Sequence, residues 1–293
     1  MQADTTSQKG RLAWGVMITP LVMFLLLFLG FPAAVNLVYS VSDVSFQTLR
    51  SPVLSGLGNY AEVLRDTAFW RAVDFSLRFG LVTAVVECLA GLFLAIFLAP
   101  LLQRLPRLIA GLMLPLMVAP ALVGLMYRLV LHEFVGPVPY YLYQWFGTSP
   151  GFLTPDNAFT TLVVVESLQW TPFAFLLFYV AYRAIPEDVR EAAALDGADT
   201  WQRLRFIDFP LMLPTLAVAL FIRFIDGVRV FDNVYVLTGG GAGGVTKSLS
   251  IYIYETFFRQ SEIGRAVAAS MLLFAVSLLL LTALNALASR RDA

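Results

Sequence analysis

The sequence predicts an all-α, polytopic membrane protein with six transmembrane helices, and three observations carry that prediction. Of 293 residues, 59% are hydrophobic and 14% charged, with a mean hydropathy of +0.76; a soluble domain is nearer half apolar and a quarter charged. Six apolar runs approach or exceed the roughly 20 residues that a helix needs to cross a hydrocarbon core: 14–39, 75–98, 108–131, 158–182, 206–225 and 266–288. Several are interrupted by prolines, namely Pro20, Pro32, Pro115, Pro120, Pro172, Pro210 and Pro214. Neighbouring helices can re-satisfy the backbone groups that proline frees, so kinked or broken spans are expected.

The first run follows Lys9 and Arg11 and is apolar from Leu12 to about Leu29. It is too long for the apolar region of a cleaved leader, and no A-x-A site follows closely, so it reads as a retained anchor and first helix. The connection 40–74 is polar and ends in Asn59-Tyr60-Ala61-Glu62 and Phe69-Trp70-Arg71-Ala72-Val73. Its aromatics suit an interfacial helix leading into the second span. That span holds Glu87 and the single cysteine, Cys88, which excludes an intrachain disulfide and a cysteine metal cluster. The third ends in Tyr127-Arg128 and is followed by the one histidine, His132, which reads as an interfacial polar residue.

Orientation follows from the basic residues. Residues 132–157 contain no Lys or Arg, whereas Lys9, Arg11, Arg104, Arg107, Arg183, Arg190, Arg203, Arg205, Arg290 and Arg291 fall on the other side. Arg50, Arg65 and Arg71 oppose this, in a longer segment where the rule is weak. Both termini and the segment around Glu191 are therefore expected to be cytoplasmic. A net charge of zero gives no reason to expect a nucleic-acid partner.

The fourth span carries a polar stripe: Glu166, Gln169, Trp170 and Phe173 fall at i, i+3, i+4 and i+7, on one helical face. Rings that cover apolar sugar faces beside groups that take hydroxyls make good carbohydrate-binding chemistry, although such a stripe also serves helix contact. In the fifth span Arg223 and Asp226 are one turn apart, with Gly227 beside them. A charge at the centre of a span costs about 2.5–3.5 kcal/mol on insertion scales. The pair therefore either lines a polar cavity or forms an ion pair that fixes packing. Glu87, Tyr127 and Arg128 are lesser candidates.

Between the fourth and fifth runs lies a short polar island. Pro186-Glu187-Asp188 starts a helix well, with proline at the helix start and two acids at the positive end of the dipole. Ala192-Ala193-Ala194 favours helix, and Gly197 after Asp196 is a natural stop. Leu195 and Trp201 are interleaved with acids, which suits a helix docked in a partner's groove better than a plain connector.

The pattern Glu191-Ala192-Ala193…Gly197…Ile207…Leu213-Pro214 resembles the EAA motif of permease subunits of binding-protein-dependent ABC importers. Gly58-Asn59-Tyr60, Trp170-Thr171-Pro172-Phe173, Ile185-Pro186-Glu187, Phe231-Asp232…Tyr235 and Tyr252…Tyr254 are similar to the carbohydrate-uptake branch, and within it to the maltose-transport F component. Ala242 stands where proline is usual, and Asp74 where asparagine is. The resemblance implies a type I ABC importer permease fold, as one permease domain over 1–293 with a cytoplasmic coupling loop at 183–206. It implies that Glu191, Ala192, Ala193, Asp196 and Gly197 couple to the ATPase. Substrate contacts are implied at Arg223, Gly227 and Val230, joined by Glu166, Gln169, Trp170, Phe173 and Asp226. Implied partners are a second homologous permease, two copies of an ABC ATPase that bind ATP and Mg, an extracytoplasmic binding protein and a sugar or polyol. No cofactor is expected in this chain, and the location is a bacterial inner membrane.

Two other classes would use these residues differently. A self-contained secondary transporter would use Glu166, Arg223 and Asp226 as an ion relay. An intramembrane enzyme would need a metal cluster or a histidine paired with a nucleophile, and the sequence offers neither. The glycine-rich 239–248 stretch imitates a phosphate loop, but Thr246 stands where glycine must precede Lys247-Ser248.

Overall fold

The computed structural model describes residues 17–241 and 244–289. Lys9, Arg11, Trp14, Ala242, Arg290 and Arg291 lie outside them. In chain order the elements are α1 (Met17–Ser40), β1 (Ser42–Asp43), β2 (Val53–Leu54), α2 (Gly58–Arg65), α3 (Thr67–Arg104), α4 (Arg107–Met113), α5 (Pro120–Val130) and α6 (Pro137–Phe146). There follow α7 (Pro155–Arg183), α8 (Glu187–Leu195), α9 (Thr200–Val228), α10 (Asp232–Thr238), α11 (Leu249–Tyr254) and α12 (Ile263–Ser289). By length and composition α1, α3, α7 and α9 can each cross a membrane, and α4 with α5 makes a fifth crossing if the bent pair is one span. The sixth expected run is helical as α12.

Two compact units result, one of residues up to Asp66 with those from Ile253 onward, the other from Thr67 to Tyr252. In the first, α1 and α12 pack together. The Asn59 amide donates to the Ser40 and Ser42 carbonyls, at 3.1 and 2.8 Å, and Arg265 pairs with Asp66 and Glu262. Most of α1 is exposed and apolar, as lipid contact or a partner helix requires.

Proline explains two of the π turns and the break in the third span. A proline ring collides with the carbonyl four residues back and brings no N–H. A wider π turn relieves both problems. Such turns cover Leu26–Gly30, directly before Phe31-Pro32, and Leu204–Asp208, directly before Phe209-Pro210. The third expected span is not one straight helix. Pro115 sits in a 3₁₀ turn, Leu114–Met117, Val118 and Ala119 are extended, and α5 leaves at 84°. Ala119 is extended because it precedes Pro120.

The second unit is organised by α3, α7 and α9. Small residues let their backbones touch, as packing in lipid favours. A Cβ on Gly91 would stand 2.6 Å from the Phe175 nitrogen, and one on Gly227 2.6 Å from the Gly80 Cα. Apolar clusters fill both ends. One joins Cys88, Ala95 and Leu102 to Phe175, Phe178 and Met212; the other joins Phe75 and Phe79 to Leu162, Val234 and Ile251. One boundary differs from expectation: the Phe69-Trp70 aromatics belong to α3 itself. After α9 the chain forms two short helices, α10 and α11. The glycine-rich stretch follows helix α10, not a strand, and Gly239, Gly240, Gly241 and Gly244 all adopt positive φ.

Candidate functional site

Both candidate sites lie in the second unit. The first is the loop between α7 and α9. Pro186 holds an extended φ/ψ before α8, and Glu187 and Asp188 occupy its first turn. The helix ends in a paired cap: Gly197 N–H donates to the Ala194 carbonyl at 3.1 Å and Ala198 N–H to the Ala193 carbonyl at 3.0 Å. Gly197 takes φ +76°, the left-handed geometry this cap needs. Two residues on, a capping box starts α9. Gln202 N–H donates to Asp199 Oδ1 at 2.7 Å, and Asp199 N–H donates to Gln202 Oε1 at 2.9 Å.

These two caps, back to back, stiffen a knob of about a dozen residues. Ala193 is buried, while Glu191, Ala192, Asp196 and Gly197 are exposed. Leu195 is 89% exposed and Trp201 67%, bare apolar side chains in a polar loop. The knob is fastened at its base. Arg190 donates to the Tyr182 carbonyl at 2.8 Å, and its guanidinium lies 4.2 Å from the Tyr182 ring centre. Arg190 and Arg203 flank the carboxylate of Asp208 at 3.4 and 3.6 Å, and Asp208 is 1% exposed.

The second site is polar and lies among the membrane-length helices α3, α7 and α9. Arg223 on α9 is 1% exposed. Its Nε donates to Glu87 Oε2 of α3 at 2.5 Å, Nη1 to Asp226 at 3.3 Å, and Nη2 stands 3.6 Å from Glu166 of α7. The guanidinium also lies 4.5 Å from the centre of the Trp170 ring, a cation–π arrangement. Asn233 on α10 donates to Glu166 Oε2 at 2.6 Å and to Gln169 Oε1 at 2.9 Å. The Gln169 amide nitrogen donates in turn to the Val118 carbonyl at 3.0 Å. That carbonyl was freed by the break before Pro120, so Gln169 closes a vacancy in the third span's hydrogen-bonding.

A cavity of about 250 Å³ opens over this network, lined by Pro120, Glu166, Trp170, Arg223, Asp226, Arg229, Val230, Phe231, Asp232 and Asn233. Five of the residues expected at a substrate site, Glu166, Trp170, Arg223, Asp226 and Val230, line it together. Gln169 lies behind them, 3% exposed. Phe173 is half-buried and not in the lining. Gly227 is buried, and a Cβ there would meet Gly80 and Thr83 of α3, so its place is the helix crossing. Glu87, read from sequence as a lesser candidate, is the nearest partner of Arg223. Asn233 was not singled out by helical spacing because it lies beyond the fifth run; the signal available was its place inside the Phe231-Asp232…Tyr235 motif.

The family described as binding-protein-dependent transport system inner membrane component matches residues 88–292. A trehalose/maltose transport system permease protein, MalF, of Thermococcus litoralis is 34% identical, covering 90% of this chain and 89% of that protein. A trehalose transport system permease protein, SugA, of Mycobacterium tuberculosis is 30% identical, covering 90% of this chain and 84% of that one. Among solved structures, a chain of a bacterial alginate ABC transporter in complex with an alginate pentasaccharide-bound periplasmic protein matches with a TM-score of 0.84 at 20% identity. It covers 99% of this chain and 98% of that one. A chain of the MetNI methionine ABC transporter, inward facing, matches with a TM-score of 0.53 at 18% identity, over 73% and 91% of the two chains. These two establish the fold.

Proposed function

The chain belongs to the binding-protein-dependent transport system inner membrane components, and from that premise we propose that it is one half of an ATP-driven sugar importer. In this reading it forms a single permease domain of six spans over 1–293, both termini cytoplasmic, paired with a second homologous permease. An extracytoplasmic binding protein delivers a sugar or polyol. Two separate ABC ATPase subunits bind ATP and Mg and grip the coupling loop, 183–206. Their closure works on the knob, and the spans switch between inward- and outward-facing states. A motor shifts that equilibrium only by binding one state better than the other.

The observation that carries the reading is the doubly capped α8 knob, with Leu195 and Trp201 bare and its base held to α7 and α9. A loop that only joined two spans would need neither the stiffness nor the bare apolar side chains. The sugar assignment draws on the relatives' named cargo and on the cavity, where Trp170 and Phe231 stand beside Asp226, Asp232 and Asn233.

An anionic sugar derivative or glycerol phosphate is the second reading, and it rests on Arg223 and Arg229. Arg223 is already engaged by three carboxylates, and Asp232 also lines the cavity, so a neutral cargo fits better. The deciding experiment reconstitutes the permease pair with ATPases and binding protein in vesicles. ATP-dependent uptake of labelled disaccharide supports the proposal. Gradient-driven uptake by this chain alone would instead favour the secondary-transporter reading, with Glu166, Arg223 and Asp226 as its relay.

A further inference from the structure

Helix α6 has a composition unlike any other part of the chain. Its ten residues, PVPYYLYQWF, contain no charged side chain, and Tyr140, Tyr141, Tyr143, Trp145 and Phe146 are all exposed. The chain turns into it abruptly: Gly136 N–H donates to the His132 carbonyl at 2.8 Å, and a Cβ on Gly136 would lie 2.5 Å from the Val130 carbonyl. Six residues separate the end of α5 from the start of α6. Since α7 alone separates it from the coupling loop, it sits at the opposite end of the spans. Leu125, Met126 and Leu129 of α5 and Phe134 and Val135 of the connection are exposed and apolar as well, with Arg128 and Glu133 as exposed charges among them.

From this we propose that α6 lies in the headgroup boundary of the leaflet opposite the coupling loop, as an aromatic anchor that fixes the depth of α5 and α7. Tyrosine and tryptophan suit that layer because the ring is apolar and the tip polar. A bare aromatic surface this dense is not left to water. α6 carries no charge that could steer a protein partner, whereas the headgroup boundary asks only for rings with polar tips.

The test uses the assembled transporter in phosphatidylcholine–phosphatidylglycerol nanodiscs, with cysteine-free partner subunits. Tyr140→Cys, Tyr143→Cys and Trp145→Cys are each spin-labelled; native Cys88, 1% exposed, is shielded from the reagent. Variants that keep ATP-dependent uptake when reconstituted in vesicles are scored, in the nanodiscs, for collision with oxygen, which enriches in lipid, and with a nickel chelate, which stays in water. Oxygen collisions exceeding chelate collisions at two or more sites establish the anchor. Chelate collisions dominating would place α6 in water and overturn it. Shielding from both probes, with immobilised spectra, would place a protein subunit over α6 and overturn it equally.

Discussion

Arg223 of α9 and Glu87 of α3 form a buried ion pair, Nε to Oε2 at 2.5 Å, with side chains 1% and 0% exposed. Removing one member of a buried pair costs about 3–5 kcal/mol, whereas replacing both by apolar groups can be neutral. The two members are not equivalent here. Without Glu87, Arg223 keeps Glu166 and Asp226; without Arg223, Glu87 and Glu166 remain as buried carboxylates. Arg223→Met is therefore expected to lower the melting temperature of the purified transporter more than Glu87→Gln. The double variant Glu87→Leu with Arg223→Met is expected to recover much of the loss. Thermal unfolding followed by size-exclusion fluorescence checks the order.

At the knob, Asp208 ties both flanking arginines to the start of the fifth span. Asp208→Asn keeps the volume and removes the charge, leaving Arg203 without this carboxylate and Arg190 with only the Tyr182 carbonyl and ring. The knob then moves without pulling α9, so ATP hydrolysis should persist while uptake falls by about tenfold, the equivalent of 1.4 kcal/mol. Exchanging the charges, as Asp208→Arg with Arg190→Asp, should restore part of the uptake. Hydrolysis and uptake measured on the same vesicles separate this from misfolding, in which both fall together.

Gly197 tests the cap itself. Nothing lies within 4 Å of a Cβ placed there, and its φ is +76°, so the penalty for a side chain is backbone strain, not crowding. A non-glycine residue in that region costs about 1–2 kcal/mol, least for asparagine and most for a β-branched residue. Gly197→Asn, Gly197→Ala and Gly197→Val should weaken ATPase association in that order, read by co-purification of the ATPase subunit. Equal loss in all three would point to a lost contact instead of a lost conformation.

Most of the architecture was legible because membrane crossing demands long apolar runs, and because proline marks its own irregularities. Pro115 and Pro120 announced the broken third span, and Gly197 announced the end of α8. What helical spacing could not supply was partnership between distant runs. Glu87 and Arg223 are 136 residues apart, and nothing local links them. Gly227 was read as a cavity residue from its family position; its packing against Gly80 depends on a crossing that only the fold reveals. Gln169 has a stripe position suited to cargo, but the Val118 carbonyl needing its amide exists because the chain breaks 51 residues earlier.

Asp226 separates cargo contact from scaffolding. It pairs with Arg223 at 3.3 Å, yet its side chain is 48% exposed and faces the cavity. With Asp226 half-exposed and Arg223 also held by Glu87 and Glu166, the pair contributes about 0–1 kcal/mol, so Asp226→Asn should leave the melting temperature almost unchanged. As a lining carboxylate beside Trp170, it is placed to accept hydroxyl protons from a sugar, and charge-assisted hydrogen bonds are worth about 1.5–3 kcal/mol. Uptake should therefore need roughly tenfold more cargo-loaded binding protein for half-maximal rate, the shift that 1.4 kcal/mol gives. Nucleotide hydrolysis without cargo should stay as in the unaltered transporter. An Asp226→Asn transporter with normal uptake but a lowered melting temperature would assign the residue to the ion-pair scaffold, and leave Asp232 and Asn233 as the cavity's sugar-facing groups.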